Sequence, residues 1–218
     1  MSFLSKRAPW SAAAIAVVAI AAGGVTAAGA NSQKASETSF NLFPNNAVLN
    51  CLAEPGHTPH ADLKVERGKL NDRLTLEVKN LKPNLDFDVF TVENSPQVSD
   101  GTANPAFNKN FGFAWYQSDL HTNRHGEGEI HLRTILLDQI FGFDAGRAVP
   151  PVNTFNLGFW FNNPADVANC GFTGVTPFNG EHNAGPLAMI SRIDVTTKLG
   201  PLCTDPESNA DGTFRCNP

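Results

Sequence analysis

The sequence is poor in charge. Asp, Glu, Lys and Arg make up 17% of its 218 residues, below the quarter usual in soluble domains. Basic residues are the minority, 16 against 21 acidic ones. That excludes a nucleic-acid or anionic-lipid surface, which needs clustered Lys and Arg. Tyrosine is nearly absent, with one residue against 16 phenylalanines, so the aromatic content reads as a Phe-filled core. The chain has no Gly-x-Ser-x-Gly elbow, which removes the usual signature of a serine hydrolase. It has no Cys-x-x-Cys pair, which argues against a zinc–thiolate site. Its longest apolar run, Ala12–Ala22, falls short of the roughly 20 residues a membrane span needs.

What is there begins with that apolar run. Lys6 and Arg7 precede it, Gly23 and Gly24 break it, and Ala28-Gly29-Ala30 supplies small residues where a signal peptidase reads. The order of basic, apolar and small segments predicts a secretory signal peptide over residues 1–30. Cleavage is expected after Ala30, with Ala27 as the alternative. Without these residues two basic groups are lost and no acidic ones, so the net charge moves from −5 to −7. The remaining 188 residues suit one domain with a sizeable core, and no other segment would hold it in a membrane.

Cys51, Cys170, Cys203 and Cys216 all lie beyond the signal segment. An even count in an exported chain predicts two disulfides, with three pairings open. Cys51–Cys170 as a long-range staple and Cys203–Cys216 as a tail clasp is the favoured arrangement.

Residues 31–39 are polar and aperiodic, which predicts a flexible mature N-terminus. The domain is then expected over 40–200, with a disulfide-clasped tail over 201–218. Within it, period-two alternation recurs. Leu74, Leu76 and Val78 alternate with Thr75, Glu77 and Lys79. Phe87 and Val89 alternate with Asp86 and Asp88. Phe111, Phe113 and Trp115 alternate with Gly112, Ala114 and Tyr116, and Ile130 and Leu132 with His131 and Arg133. Phe155, Leu157, Phe159 and Phe161 alternate with Asn156, Gly158, Trp160 and Asn162, and Ile193 and Val195 close the set. Gly-, Pro- and Asn-containing turns separate these runs. The pattern predicts an all-β antiparallel sandwich with at most one or two short helices. Thr134–Phe141 is the one helical candidate.

Residues 80–89, Asn-Leu-Lys-Pro-Asn-Leu-Asp-Phe-Asp-Val, resemble the corner before strand F in fibronectin type III and immunoglobulin-like domains, and that resemblance implies an immunoglobulin-like antiparallel β-sandwich. Phe87 stands where that family uses Tyr, so the corner's usual hydroxyl bond is not expected from this residue. The segments at 111–122, 157–164 and 176–186 are similar to stretches in a group of uncharacterised secreted actinobacterial proteins. That resemblance implies export and a bacterial source, and it carries over no catalytic residue.

Two constellations offer chemistry. If the Phe stripe of 155–161 faces the core, Trp160 faces away, and Tyr116 likewise. Each has Gly or Ala beside it on its own face, which leaves room for a flat ring. Gln117, Asp119 and Asn162 lie near enough in sequence to hydrogen-bond sugar hydroxyls, so these five residues form a candidate ligand platform. The bland alternative is that both rings lie beneath a third layer. The second constellation is His121, His125 and His131, with His182 from another loop, as ligands for Zn or Cu. Its bland alternative is a solvated hairpin, since the spacing matches no metal signature. A triad of Ser118, His182 and Asp119, a carboxylate pair of Asp119 and Glu181, the His57/His60 loop and the acidic 203–216 loop carry less. No catalytic residue is assigned. The sequence is therefore read as a secreted, non-enzymatic binding or surface-interaction module for an extracellular glycan or protein, with no cofactor. The alternative is a metal-binding protein or metal-dependent enzyme.

Overall fold

The computed structural model describes residues 37–68, 71–109, 111–112, 114–134, 154–173 and 184–203. The signal segment, the Thr134–Phe141 candidate beyond its first residue, Phe113, Glu181, His182 and the Cys203–Cys216 pairing lie outside them.

The strands are β1 (Glu37–Asn41), β2 (Phe43–Pro44), β3 (His60–Glu66), β4 (Asp72–Lys79), β5 (Asp86–Val92), β6 (Ala114–His121), β7 (Gly128–Thr134), β8 (Thr154–Phe161), β9 (Leu187–Ile190) and β10 (Leu202–Cys203). They build two antiparallel sheets. A four-stranded sheet runs β1-β3-β4-β7, and a six-stranded sheet runs β2-β9-β8-β5-β6 with β10 added to β8. Helical structure among the described residues is limited to α1 (Leu49–Leu52) and the 3-10 segments Asn46–Val48 and Pro164–Cys170. None is long and apolar enough to cross a membrane.

The all-β antiparallel sandwich is thus the architecture. Within it β3 and β4 form a hairpin in the four-stranded sheet. Alternation explains the core. Leu63 and Val65, Leu74, Leu76 and Val78, Phe87 and Val89, Leu120, and Phe155, Leu157, Phe159 and Phe161 all point between the sheets and are buried. The rings of Phe87, Phe159 and Phe161 meet at centroid distances of 4.9 and 5.1 Å.

Three boundaries differ from the sequence expectation. Residues 37–39, inside the segment expected to be flexible, lie in β1, which pairs with β3 from Glu37 opposite Glu66 onward. Ile193 and Val195 do not form a strand. Ile193 makes only an isolated bridge with Val98, and the final long strand is Leu187–Ile190, an unbroken apolar run buried on both faces. The domain also extends past residue 200, since Leu202 pairs with Phe155.

Residues 80–85 carry the chain from the four-stranded to the six-stranded sheet. Thr122 closes this corner from inside. Its hydroxyl donates to the Lys82 carbonyl at 2.8 Å and accepts from the Leu85 N–H at 2.8 Å. Gly126, at φ +71, packs so closely that any side chain there would overlap the Leu81 carbonyl oxygen. The Cys51–Cys170 disulfide joins α1 to the Pro164–Cys170 turn, 119 residues apart in sequence. Closing a loop of that length restricts the unfolded chain by roughly 4.7 kcal/mol of loop-closure entropy.

Candidate functional site

The outward-facing residues of the six-stranded sheet carry the candidate site. On β5 these are Asp86, Asp88, Phe90 and Val92, because Phe87, Val89 and Thr91 point inward. On β8 they are Asn156, Gly158 and Trp160, with Asn162 just past its end, and the pairing sets Asp88 beside Trp160 and Phe90 beside Gly158.

A bulge on β6 completes the face. Ser118 pairs with Val89, and Tyr116 pairs with Phe90, so Gln117 is an extra residue in the strand. A bulge resets the side-chain alternation and re-aims the residues beyond it. Without it, Tyr116 and Asp119 would point to opposite sides of the sheet. With it both point outward, and the Tyr116 hydroxyl donates to Asp119 Oδ1 at 2.7 Å. Gln117 turns back on its own strand, its amide donating to the Trp115 carbonyl at 3.3 Å.

The rings on this face form a line. Phe107 meets Phe111 at 4.9 Å, Phe111 meets Trp160 at 5.2 Å, Trp160 meets Phe90 at 5.6 Å and Phe90 meets Tyr116 at 5.7 Å. All four contacts are edge-to-face, the arrangement that ring quadrupoles favour. The line begins under a covering loop and ends in solvent. Trp160 is 1% exposed and Tyr116 is 54% exposed.

Trp160 therefore cannot be a ligand platform, contrary to expectation. It does leave the main core as its alternation requires, but Phe111, Phe90, Leu187 and Ile190 cover it in a second small core. Phe111, expected between the sheets, lies in this outer layer instead. Trp115, its expected partner, does face inward, against Phe155 at 5.5 Å. The part of the outer layer that comes from residues 94–109 and 111–112 has no alternation to announce it, because these residues form loop rather than strand.

Beside Tyr116 the face becomes polar. Asp119 pairs across the strands with Asp88, and His121 with Asp86. Asn162 donates to Asp88 Oδ1 at 2.9 Å, and His121 Nδ1 lies 2.7 Å from Asp86 Oδ1. Asp166, at the edge of this strip, has its carboxyl pushed above its ordinary value, first by partial burial and then by the charge of Asp86. Of the five expected ligand residues, Tyr116, Asp119 and Asn162 share one accessible face. Trp160 sits beneath it and Gln117 shapes it from the bulge. Asp86 and His121 join the strip, and Asp88 lies buried beneath it; the outward parity of Asp86 and Asp88 was readable in the sequence, but the convergence depended on strand pairing.

The described histidines of the expected set, His121, His125 and His131, do not converge. His121 lies on the outer face of the six-stranded sheet. His131 lies on the outer face of the other, with Nδ1 3.1 Å from Thr75 Oγ1 and Nε2 2.9 Å from Glu129. His125 sits in the turn between them, accepting from Arg124 Nε at 3.0 Å. Two faces of one sandwich are separated by its core, so this set cannot share one ion. Among the described residues no group of three His, Cys, Asp or Glu side chains is placed to hold a metal.

The chain matches no family model, no curated protein and no solved structure.

Proposed function

We propose that this chain is an exported, non-enzymatic binding module that takes a glycan on the outer face of its six-stranded sheet, around Tyr116. The observation that carries the reading is the state of the Tyr116 ring. Among the described residues it is the one large aromatic side chain left exposed, and it is held rather than loose. Phe90 braces its ring and Asp119 fixes its hydroxyl. A ring already ordered loses little entropy when a sugar stacks on it. Asp119, His121 and Asn162 supply acceptors and donors along the same strip, which suits a ligand rich in hydroxyls.

Export is supported by the basic, apolar and small-residue order of residues 1–30, and by a disulfide that needs an oxidising compartment to persist. The likeness of three segments to secreted actinobacterial proteins favours the same location. The absence of a catalytic motif supports binding rather than turnover.

Glycan-array binding tests this directly. The purified chain is expected to retain a discrete set of glycans, and Tyr116→Ala is expected to lose them while unfolding at the same denaturant concentration as the parent. Retention of the same glycans by the variant would overturn the role given to Tyr116.

A further inference from the structure

At the opposite edge of the same sheet, β2 and the end of β9 border a cleft of about 350 Å³. Arg192 lines it, and two contacts fix its guanidinium. Nε donates to Gln97 Oε1 at 2.9 Å. Cζ lies 3.7 Å above the centroid of the Phe43 ring. The backbone of Gly101, at φ +87, runs beside the fork, so close that a methyl group there would lie 3.5 Å from both Nη1 and Nη2. Gln97 is itself held, its amide donating to the Pro44 carbonyl at 3.2 Å. These contacts use Nε and the ring face. They leave out the two terminal nitrogens, which among the described residues have no hydrogen-bond partner and no carboxylate at ion-pair distance.

A guanidinium so held is half-buried, and burial opposes its charge. A planar fork with ordered geometry and free terminal N–H groups matches a carboxylate or a phosphate in a bidentate pair. The surroundings choose between them. Phe40, Phe43 and Pro201 give the cleft apolar walls, and Ser39 and Asn41 add neutral hydrogen-bonding groups. Asp194 also lines it, and Asp100 acts on Arg192 through its charge. Both carboxylates are occupied within their own turns, Asp100 by Thr102 and Asp194 by the N–H groups of Thr196 and Thr197. Their charge still opposes a dianion more than a monoanion.

We infer that the Arg192 cleft is a second binding site, for a monoanionic carboxylate carried on a small apolar body. It lies across the sheet from Tyr116 and does not depend on the glycan reading. The carboxylate pairs with the Nη1/Nη2 fork, and the apolar body lies against Phe40 and Pro201.

The test is a titration of the isotopically labelled full chain with phenylacetate, followed by NMR at the Arg192 Nε–H and the Gly101 N–H. Phenylacetamide and inorganic phosphate serve as the comparison ligands. Saturable shifts with phenylacetate, little response to uncharged phenylacetamide and weaker binding of phosphate are expected. Arg192→Lys keeps the charge and removes the fork, and should weaken phenylacetate about tenfold or more. Asp100→Asn keeps the turn's acceptor and removes its charge, and should tighten binding. Because that variant leaves Arg192 untouched, it decides the matter should Arg192→Lys fail to fold. No saturable shift, equal response to phenylacetamide, phosphate binding as tight as phenylacetate, or indifference to Asp100→Asn would each overturn the assignment.

Discussion

The two sheets have outer faces built on the same alternation and put to different use. On the four-stranded sheet the outward residues are charged and solvated. Lys64 lies 3.1 Å from both Glu37 and Glu66, and His131 pairs with Glu129. These groups need no cover, and pairs of this kind on an open surface contribute little. On the six-stranded sheet the outward residues include Phe90, Val92, Trp160 and Ile190, all buried. Here a loop folds back as a third layer, and the exposed part of the face shrinks to the strip from Tyr116 to Asp86. Period-two patterning decides which residues leave the sandwich core. It does not decide whether they meet water.

Substitutions should separate the two faces sharply. The largest effect is expected at Trp160. Trp160→Ala removes the centre of the ring line and opens a cavity in the outer layer, and should cost about 3–5 kcal/mol in denaturant-induced unfolding. A cost near zero would mean that this face is as open as the other.

Next comes the covering loop itself. Gly112 sits at φ +76, and a side chain there would overlap Oε2 of buried Glu93. Gly112→Ala should cost about 1–3 kcal/mol and raise hydrogen exchange across the loop before the sheets are affected. Unchanged exchange would argue that the loop does not hold the cover in place.

A smaller, pH-dependent effect is expected at the polar end of the strip. The folded-state value of Asp166 is raised above its ordinary 3.8. The protonated form is therefore the one the fold favours, and stability falls as pH rises through the raised value. Asp166→Asn removes that loss. The variant should match the parent at pH values below the ordinary carboxylate range and unfold at higher denaturant concentration near neutrality. The reverse ordering near neutrality would mean that the Asp166 charge is stabilised by a cation on this face.

The smallest effect belongs to the other sheet. Lys64→Ala breaks two exposed ion pairs and should leave the unfolding midpoint where it is, in low salt or high. A measurable loss would make the charged face a structural network rather than a solvated surface.

Much of the fold was legible in the sequence, for reasons that particular residues make clear. The stripes at 74–78, 87–89 and 155–161 alternate because each has one face on a shared core, and that is where they lie. The His60–Glu66 strand has the same signature in Ala61, Leu63 and Val65, and was readable by the same rule. Leu187–Ile190 was not, because a strand buried on both faces loses its alternation. The site was half legible. Tyr116 and Asn162 were identifiable by type and parity and Asp119 by type alone, but their meeting depends on the extra residue at Gln117. A bulge changes register without leaving a mark in hydrophobicity. The burial of Trp160 depends on Phe111, which reaches it from a loop and is itself backed by Phe107. The histidines show the converse. Proximity in sequence, from His121 to His131, spans a hairpin that joins the two sheets and so places them on opposite faces.

The central claim is that the exposed end of the ring line, Tyr116, is a binding surface while the rest of the line is its support. The most direct measurement compares glycan binding and unfolding for Tyr116→Ala and Trp160→Ala in parallel with the parent chain. Tyr116→Ala is predicted to lose binding at nearly unchanged stability, and Trp160→Ala to lose stability first. Binding that survives Tyr116→Ala, or a parent chain that retains no glycan at all, would contradict it.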